Sequence, residues 1–435
     1  MNVPLRVGVV ARSVFPLHGY GGLERHVYDL VRHLAREGVL VTLITQPARQ
    51  GVANSDNAPA GASAIFDPRE ADSGGRTAGA SVHIMTVPYR TFPFAGRRGT
   101  TILDRSTAYP IFGERAGRLA WTLVRDQRLD VVHGLGASVL GYARRRARCT
   151  APLVLNPQGL EEFGATDPSR ARAKRAAYLP LRRAVLACAR AADCVIATDR
   201  ALEPAVLRHL HVSREKVRLI PNAIDIASID RSTEPGAATR VRRTAGLGET
   251  DVVLLSVGRL EANKGFGVLV DALAALHTHG DPLAGRWRWV LIGDGPNRRT
   301  LELAIGDAGL REHVLLAGRL PDADLHAWYE AATLFVHPTL YEGSSLVTLE
   351  AMAHRRAVVA SNAGGLPDKV RTGLNGWLVE PGRPDALAAA ISGALGQPRD
   401  RLHAMGDASR HIVEQEFAWP VVTRTLLELY AELLA

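Results

Sequence analysis

The sequence predicts an α/β fold made of two doubly wound domains, each with a parallel sheet covered by helices on both faces. Short apolar runs rich in Val, Ile and Leu alternate with helical patterns along the chain, and continuous rather than alternating apolar strands indicate sheets buried on both sides. The alternation falls into two blocks, separated by a polar stretch. A chain of 435 residues is also too long for a single hydrophobic core.

Apolar runs in the first block predict strands at Arg6–Val10, Leu40–Thr45, Val82–Val87, Val131–His133, Leu153–Asn156, Cys194–Ala197 and Val217–Ile220. The second block predicts strands at Val252–Gly258, Trp289–Ile292, Val314–Leu316, Leu334–Val336, Ala357–Ala360 and Gly376–Val379. Helical patterns between these strands include Gly22–Glu37, Gly267–His277 and Asp322–Ala332. Strict alternation of strand and helix predicts parallel sheets in both domains.

The polar, turn-rich stretch around residues 228–245 marks the domain break. We expect a first domain over residues 1–225, a linker over 226–249, a second domain over 250–416 and a final helix over 417–435. Pro420 suits the first turn of that helix. Residues 46–80 form a low-complexity insert that we expect to be mobile, either as a surface excursion or as part of a lid over a second substrate.

The composition, with 46% apolar residues and a mean hydropathy of −0.01, is typical of a soluble globular protein. No run approaches the roughly 18 apolar residues of a membrane span. The N-terminal apolar run is short, is interrupted by Arg6, and predicts a buried strand rather than a signal peptide. The three cysteines, at positions 149, 188 and 194, show neither a disulfide pattern nor metal-ligand spacing, which favours a reducing cytoplasm.

The formal charge is +9, and the excess is mostly arginine in the first half of the chain. The arginine clusters lie at residues 97–98, 144–148, 170–175 and 182–183. They fit either solvated helix faces or a patch facing anionic phospholipid at the inner face of the plasma membrane. Nucleic acid is not an expected partner, because no aromatic residues interleave with the basic runs.

Two glutamates, Glu342 and Glu350, stand with seven residues between them. We expect a helix that begins near Ser344 or Ser345, so that one carboxylate lies before the helix and the other about a turn and a half inside it. The first amide N–H groups of a helix lack partners within it and lie at the positive end of its dipole, where a phosphate can bind. A phosphate between two carboxylates suggests a nucleotide sugar as the ligand.

Two cations follow the first strand of the second block. Arg259 and Lys264 leave a strand end toward a helix start, which is where sheets of this kind bind ligands. Two fixed cations fit a diphosphate and can neutralise the charge that develops on a phosphate leaving group. An ion pair between Arg259 and Glu261 is the alternative, but glutamates 342 and 350 in the same domain favour the diphosphate.

Other motifs carry weaker indications. The glycine-rich loop Gly19–Arg25 opens the first helix, but its spacing is not that of a dinucleotide-binding loop. His133 ends a strand of the first domain, a position that favours function over structure. Asp322 and Asp324 have a spacing that can hold a divalent metal. They also begin a predicted helix, so we interpret them as capping residues and expect no metal site.

The order of these motifs resembles that of the retaining glycosyltransferases of family 4, which share the GT-B fold of two Rossmann-like domains facing a central cleft. The matching residues are Gly21-Gly22, His133, Pro221-Asn222 with Asp225, Gly258-Arg259 with Lys264-Gly265, Gly293-Asp294-Gly295-Pro296, Tyr341-Glu342-Gly343, Glu350-Ala351-Met352-Ala353 and Gly364-Gly365-Leu366-Pro367. The resemblance spans nearly the whole chain and implies that the last helix crosses back onto the first domain.

By this resemblance, each matching residue acquires an expected role. Glu350 would bind the ribose of the donor, and the cations Arg259 and Lys264 would bind its diphosphate. Glu342 and His133 would contact the donor sugar near the reacting carbon. Glu342 is the nearest candidate for a nucleophile, and front-face attack without a covalent intermediate is equally consistent. The expected remaining donor contacts are Gly21, Gly22, Asp294, Arg319, Gly343, Ser344, Ser345 and Leu346.

The resemblance implies a hexosyltransferase that uses a UDP-sugar in preference to a GDP-sugar, needs no metal or other cofactor, and glycosylates a glycan, a lipid-linked acceptor or a small molecule. Cell-envelope polysaccharide, lipopolysaccharide and glycolipid assembly are the expected settings. A sugar-nucleotide epimerase or a phosphorylase with the same fold is the alternative. Ser344-Ser345 departs from a frequent aromatic-glycine pair, which leaves the donor sugar open, and His354-Arg355-Arg356 replaces a small-residue turn and is expected on the surface.

Overall fold

A computed structural model describes residues 4–19, 21–48, 82–89, 101–163, 176–278 and 287–435 of the chain. Contacts between residues divide the chain into two compact units. Unit 1 comprises Met1–Asn222 with Val422–Ala435, and unit 2 comprises Ala223–Val421. Of the predicted insert, only residues 46–48 lie within the described residues.

Unit 1 contains a seven-stranded sheet with the strand order β3-β2-β1-β4-β5-β6-β7, and its pairings are parallel. The strands are β1 (Arg6–Val10), β2 (Leu40–Thr45), β3 (Val82–Thr86), β4 (Val131–Leu135), β5 (Leu153–Asn156), β6 (Cys194–Ala197) and β7 (Val217–Leu219). The helices are α1 (Gly22–Arg36), α2 (Thr101–Arg125), α3 (Leu140–Ala143), α4 (Leu179–Ala191) and α5 (Leu202–Leu210). Buried residues of the sheet, such as Val132 and Leu155, share one apolar cluster with Phe112 of α2 and Val185 of α4.

Unit 2 contains a six-stranded parallel sheet with the strand order β10-β9-β8-β11-β12-β13. Its strands are β8 (Val252–Val257), β9 (Trp287–Ile292), β10 (Val314–Gly318), β11 (Leu334–His337), β12 (Val358–Ser361) and β13 (Gly376–Val379). Its helices are α6 (Ile226–Arg231), α7 (Ala237–Thr244), α8 (Phe266–Thr278), α9 (Arg298–Asp307), α10 (Asp322–Ala331), α11 (Leu346–Ala353), α12 (Pro384–Leu395) and α13 (Arg399–Ile412).

The sheet of unit 2 is buried on both faces, as the continuous apolar strands predict. In β8, Val253 and Leu255 belong to one apolar cluster, while Leu254 belongs to another on the opposite face. In β11, Phe335 and Leu334 divide in the same way. Successive side chains of a strand point to opposite faces, so an uninterrupted apolar run supplies both layers of the core.

The final helix, α14 (Trp419–Leu434), connects the two units, because its residues from Val422 onward belong to unit 1. The tyrosine hydroxyl of Tyr430 lies 2.6 Å from Nδ1 of His133, and both residues are buried in unit 1. The predicted fold class, including the return of the last helix to the first domain, is confirmed. No helix within the described ranges is long and apolar enough to cross a membrane.

The segment expected as a linker, residues 226–249, instead forms α6 and α7. Ile229 of α6 and Val241 of α7 are buried in an apolar cluster of unit 2. Asp225 caps α6 by accepting a hydrogen bond from the amide of Ser228 at 3.0 Å. The polar composition of this segment reflects the solvent faces of two short helices, whose few apolar residues are the ones that pack.

The arginine clusters are outside the described residues at positions 97–98 and 170–175. In the described part, Arg144 and Arg145 both pair with Glu114, at 3.0 and 2.9 Å, and Arg146 pairs with Asp193 at 2.7 Å. The three arginines at residues 144–146 therefore all form ion pairs with carboxylates of unit 1. These pairs support the interpretation of this cluster as a helix surface rather than a membrane-facing patch.

Candidate functional site

The candidate site of unit 2 lies where the strand order of its sheet reverses. The chain builds the sheet outward from β8 through β9 and β10, then returns to the other side of β8 with β11. Strands β8 and β11 are adjacent and parallel, with Leu334 beside Leu254. The loops that leave their carboxyl ends therefore start side by side, and such a switch point is where sheets of this type bind ligands.

The two loops are joined by close backbone contacts. The amide of Leu340 donates to the carbonyl of Asn263 at 2.8 Å, and the Thr339 hydroxyl donates to the same carbonyl at 2.9 Å. Gly265 has φ of +66°, and a Cβ there would stand 2.0 Å from the Pro338 carbonyl oxygen. Only glycine fits such a backbone conformation and approach without strain. The loop that carries Lys264 is thus fixed against the loop that carries Glu342.

Three side chains meet at this junction. Lys264 Nζ donates to Glu342 Oε2 at 2.5 Å, and His337 Nε2 lies 3.0 Å from the same oxygen. His337 is fully buried, whereas the side chains of Lys264 and Glu342 retain 18% and 14% of their exposure. The pair is therefore partly open to a ligand, and an ammonium group with one donor bound to Glu342 has two others for an anion.

The Glu342 carboxyl is held in its charged form. Burial by itself would raise its pKa, but the hydrogen bond from His337 and the charge of Lys264 lower the pKa to about 2. At neutral pH this carboxylate is ionised. Its fixed negative charge can stabilise positive charge that develops on a bound substrate.

The lowered pKa of Glu342 predicts a pH-dependent contribution to stability. Because the pKa falls from 4.5 to about 2 on folding, the contribution is complete above pH 4.5 and is lost as the pH falls through 2. We expect the stability difference between wild type and Glu342→Gln, measured by urea unfolding, to be largest at pH 7 and to shrink on acidification to about pH 3. An equal difference at both pH values would show that the carboxylate is not held in this way.

A glycine turn supports the backbone of Glu342. Gly364 has φ of +53°, and a Cβ at this position would lie 1.6 Å from the Glu342 carbonyl oxygen. The next residue, Gly365, donates its amide to the Gly343 carbonyl at 3.3 Å. The loop after β12 therefore lies directly against the loop that presents Glu342.

Replacing Gly364 by alanine is expected to lower the free energy of unfolding by about 2–4 kcal/mol, through overpacking and a left-handed backbone conformation. Chemical denaturation measures this loss. The matched control is Gly393→Ala, since a Cβ at Gly393 in helix α12 meets nothing within 4 Å and alanine favours a helix. A Gly364→Ala protein as stable as wild type would contradict the close approach at Glu342.

The helix that follows Glu342 begins where the sequence predicts. Ser345 is the N-cap of α11, and its hydroxyl accepts the Thr348 amide at 3.4 Å. The amides of Leu346 and Val347, in the first turn, have no partner within the helix. Ser344, just before the cap, lies 3.4 Å from Nζ of the buried Lys369. Amide donors and a buried cation therefore lie at the start of the helix that follows Glu342.

Glu350 lies in the second turn of α11 and is held from behind by Tyr329 of α10. The Tyr329 hydroxyl donates to Glu350 Oε2 at 2.8 Å. Burial, with the negative charge of Glu350, raises the pKa of Tyr329 well above its usual range. The Tyr329 ring stacks on His354 at 5.4 Å between centroids, and His354 Nε2 lies 2.8 Å from His326 Nδ1.

The position of His354 corrects the expectation that residues 354–356 lie on the surface. His354 is buried and Arg356 is half-buried, leaving Arg355 as the exposed residue of the three. Burial and the neighbouring His326 lower the pKa of His354 to about 3, so the imidazole is neutral at pH 7. The turn packs under Glu350 because its histidine fills space beside the ring of Tyr329.

Three predicted donor contacts, Arg259, Asp294 and Arg319, lie at strand ends of the same sheet. Arg259 follows β8, has a 68% exposed side chain, and pairs with Glu261 at 3.2 Å. Asp294 follows β9 and accepts the Gly295 amide at 2.8 Å, while the exposed Arg319 follows β10. The ion pair of Arg259 with Glu261, the alternative to a diphosphate contact, is present, and the guanidinium is exposed enough to exchange this partner for an anion.

The expected site residues of unit 1 occupy two different environments. Gly21 and Gly22 are exposed, with Gly21 as the N-cap of α1, and Tyr20 between Gly19 and Gly21 is outside the described residues. Strand β4 does not end at His133 but continues to Leu135, so the imidazole is only 1% exposed. Burial lowers the pKa of His133 to about 3. Its Nδ1 contacts Tyr430 of the final helix, and the expected contact of His133 with the donor sugar stays a prediction.

Asp322 and Asp324 lie in the first turn of α10, as predicted, and Pro321 occupies the N-cap position. Both carboxylates therefore face the positive end of the helix dipole. Among the described residues, no group of three His, Cys, Asp or Glu side chains is arranged to hold a metal ion.

Comparison with known families agrees with this arrangement. The family described as Glycosyltransferase Family 4 matches residues 20–228, and the family described as Glycosyl transferases group 1 matches residues 238–412. The chain belongs to the family 4 glycosyltransferases. The two matches meet close to the boundary between unit 1 and unit 2, so each unit carries one half of this family's architecture.

Several family 4 relatives are similar over different lengths. A GDP-mannose-dependent alpha-(1-6)-phosphatidylinositol monomannoside mannosyltransferase of Mycolicibacterium smegmatis is 34% identical over 45% of this chain and 52% of its own length. A D-inositol 3-phosphate glycosyltransferase of Catenulispora acidiphila is 28% identical over 99% of this chain and 96% of its own. The chain spans only about half the length of several such relatives, 52% to 59%.

Among solved structures, the sucrose-phosphate synthase of Thermosynechococcus elongatus matches over 99% of each chain, with a TM-score of 0.72 and 22% identity. This likeness shows the shared GT-B fold, with its two Rossmann-like domains.

Sequence reasoning missed three residues that hold this family 4 site together. His337 donates to Glu342, Tyr329 to Glu350, and Lys369 to Ser344. His337 was predictable from the sequence, because it ends an apolar strand five residues before Glu342. A histidine at a strand end is the same feature that favours function at His133. Tyr329 and Lys369 come from elements packed behind the site, and no local spacing connects them to it.

Proposed function

We propose that this chain is a retaining hexosyltransferase that moves a sugar from a UDP- or GDP-sugar to an acceptor hydroxyl, without a metal or another cofactor. The observation that carries the proposal is the Lys264–Glu342 pair at the switch point of unit 2, in the loop before the helix that carries Glu350. A cation, free helix amides and a charged carboxylate in one place match a diphosphate joined to a sugar.

In this proposal, the roles follow from the charges and positions. Lys264 and Arg259 bind the diphosphate and offset the negative charge that grows as it leaves. Glu350 accepts hydrogen bonds from the ribose hydroxyls. Glu342, ionised at neutral pH, lies by the sugar and stabilises the positive charge that develops at the anomeric carbon. The amides of Leu346 and Val347, at the start of α11, complete the phosphate-binding site.

The acceptor is proposed to be a hydroxyl of a phosphorylated polyol. Two relatives are named for such compounds, one for D-inositol 3-phosphate and the other for a phosphatidylinositol monomannoside. UDP-sugars remain the preferred donors in this proposal, and a GDP-sugar is the second choice because one of these relatives is described as GDP-mannose-dependent.

The test follows both consumption of UDP- and GDP-sugars and release of nucleoside diphosphate, with and without D-myo-inositol 3-phosphate or phosphatidylinositol vesicles. We expect one donor to be consumed faster when an acceptor is present, with a product that keeps the anomeric configuration of the donor by NMR. Equal consumption without acceptor, yielding an isomeric sugar nucleotide, would instead indicate an epimerase. Consumption of no donor would contradict the proposal.

Tyr329→Phe is expected to weaken nucleotide binding about tenfold while changing turnover at saturating donor little, since it removes a buried hydrogen bond to a charged group but keeps the ring. Calorimetric titration of UDP and GDP measures the effect. The control is Tyr142→Phe, which removes another buried tyrosine hydroxyl, bonded to the Ala151 carbonyl at 2.6 Å in unit 1. Equal nucleotide affinity in wild type and Tyr329→Phe would show that Tyr329 does not position Glu350.

A further inference from the structure

Unit 1 has a switch point of its own, between β1 and β4, where its strand order reverses. Arg12 follows β1 by two residues, and the Thr45 hydroxyl donates to its carbonyl at 3.2 Å. Tyr109 of α2 reaches the end of β4, where its hydroxyl donates to the Leu135 carbonyl at 2.7 Å. The roles assigned above use neither Arg12 nor Tyr109, although this edge is the position where a doubly wound sheet binds ligands.

Two tyrosine rings hold the Arg12 guanidinium in place. Its central carbon lies 5.0 Å from the ring centroid of Tyr109 and 5.8 Å from that of Tyr89, both within the range of cation–π attraction. The Tyr89 hydroxyl in turn donates to Asp104 at 2.8 Å. Each ring is therefore anchored by its own hydroxyl, and the guanidinium between them has little freedom to move.

The close approach of Tyr109 depends on the residue that follows β4. Gly136 has φ of +56°, and a Cβ there would lie 2.7 Å from the Tyr109 hydroxyl oxygen. Any larger residue would strain the backbone and press on the hydroxyl. The local sequence thus allows the ring to stand at the switch point, directly beside Arg12.

Arg12 differs from other arginines of unit 1, which form ion pairs with carboxylates. Arg6 pairs with Asp130 at 2.5 Å, and Arg146 pairs with Asp193 at 2.7 Å. Within the residues that the structure describes, Arg12 forms no such ion pair; it contacts the rings of Tyr89 and Tyr109 and the Tyr89 hydroxyl. A guanidinium has five N–H donors, so those that Tyr89 does not use can bind an anion.

We propose that Arg12, held between Tyr89 and Tyr109, binds the phosphate of a phosphorylated polyol acceptor at the switch point of unit 1. This inference rests on the proposed function and adds to it the residue that recognises the acceptor's charge. A fixed guanidinium fork matches two phosphate oxygens. The phosphate belongs either to a free polyol phosphate or to the headgroup of an inositol lipid.

The test is calorimetric titration of the full chain with D-myo-inositol 3-phosphate and with unphosphorylated myo-inositol, in the presence of saturating UDP or GDP to occupy the phosphate-binding site of unit 2. We expect the phosphorylated polyol to bind at least tenfold more tightly than myo-inositol, and Arg12→Met to weaken its binding at least tenfold. Sedimentation with phosphatidylinositol vesicles, with and without competing D-myo-inositol 3-phosphate, distinguishes the lipid headgroup from the free compound.

The matched control is Arg125→Met. Arg125 also lies over an aromatic ring in unit 1, 5.2 Å from Trp121, but at the end of α2 that leads into the start of β4, and it pairs with Asp126. Its removal should leave polyol phosphate binding unchanged. If circular dichroism shows that Arg12→Met is unfolded, Arg12→Lys replaces it in the titration. Lysine keeps the charge but lacks the planar fork, so it should weaken polyol phosphate binding at least threefold.

Unchanged affinity in the folded Arg12 variant would overturn this inference, as would equal binding of myo-inositol and its phosphate. Failure of wild type to bind either the polyol phosphate or the lipid would overturn it as well. If nucleotides still bind in these samples, the proposed function stands without this acceptor site. If UDP and GDP do not bind either, the proposed function itself has failed.

Discussion

Lys264→Ala is expected to lower turnover by about 10²-fold or more, the loss typical of removing one fixed electrostatic contact to a developing charge. Lys264 lies at the switch point of unit 2 and contacts Glu342 at 2.5 Å. Its ammonium is placed to offset the charge on the departing diphosphate, so its loss should also weaken binding of UDP or GDP. Steady-state release of nucleoside diphosphate measures the first effect, and titration calorimetry the second.

A structural effect of this substitution must be separated from a chemical one. Removing Lys264 leaves the partly buried Glu342 carboxylate without its cation, which destabilises the fold. The double variant Lys264→Met with Glu342→Gln removes both charges and should recover stability without recovering turnover. Arg383→Met is the control, because it breaks an exposed ion pair with Asp385 in the same unit and should leave turnover unchanged. Near-wild-type turnover in folded Lys264→Ala would refute the assigned role.

Glu342→Ala is expected to lower turnover by about 10²-fold or more, with a smaller effect on binding of the nucleotide. The carboxylate is held ionised by Lys264 and His337, and it is proposed to lie by the sugar rather than the base or ribose. Its negative charge would then act mainly in the transition state, which lowers the turnover number rather than the affinity. Comparing turnover with the dissociation constant of UDP or GDP separates the two.

Glu342→Gln provides a second variant with nearly the same shape and no charge. If the charge is what matters, turnover in Glu342→Gln should be close to that in Glu342→Ala. Turnover near the wild-type value in Glu342→Gln would show that shape and hydrogen bonding suffice, and would contradict the electrostatic role. Urea unfolding of both variants verifies that they are folded under the assay conditions.

The sequence predicted much of the fold because buried parallel strands leave an unambiguous pattern. The apolar runs gave every described strand within about two residues at each end, from Arg6–Val10 to Gly376–Val379. Short amphipathic helices were harder to predict from the sequence. Residues 226–249 have the polar composition of a linker, since α6 and α7 bury few side chains, among them Ile229 and Val241.

The candidate site was predictable where strand ends and a helix start fix the chain locally. Arg259, Lys264, Glu342 and the Ser345 cap all follow from that local order, and the structure brings Lys264 and Glu342 into direct contact. Contacts made across the core have no such spacing. Tyr329 reaches Glu350 from α10, which lies 21 positions earlier in the chain, and His133 is buried because its strand runs two residues farther than its apolar pattern suggests.

Titration of UDP and GDP into the wild-type chain, Lys264→Ala and Glu350→Gln shows whether the switch point of unit 2 binds the diphosphate of a nucleotide. We predict that one of the two nucleotides binds wild type with a dissociation constant of about 1–100 μM and binds each variant at least tenfold more weakly, a difference of about 1.4 kcal/mol or more. Absence of binding by both nucleotides at millimolar concentration, or equal affinity in all three proteins, would contradict it.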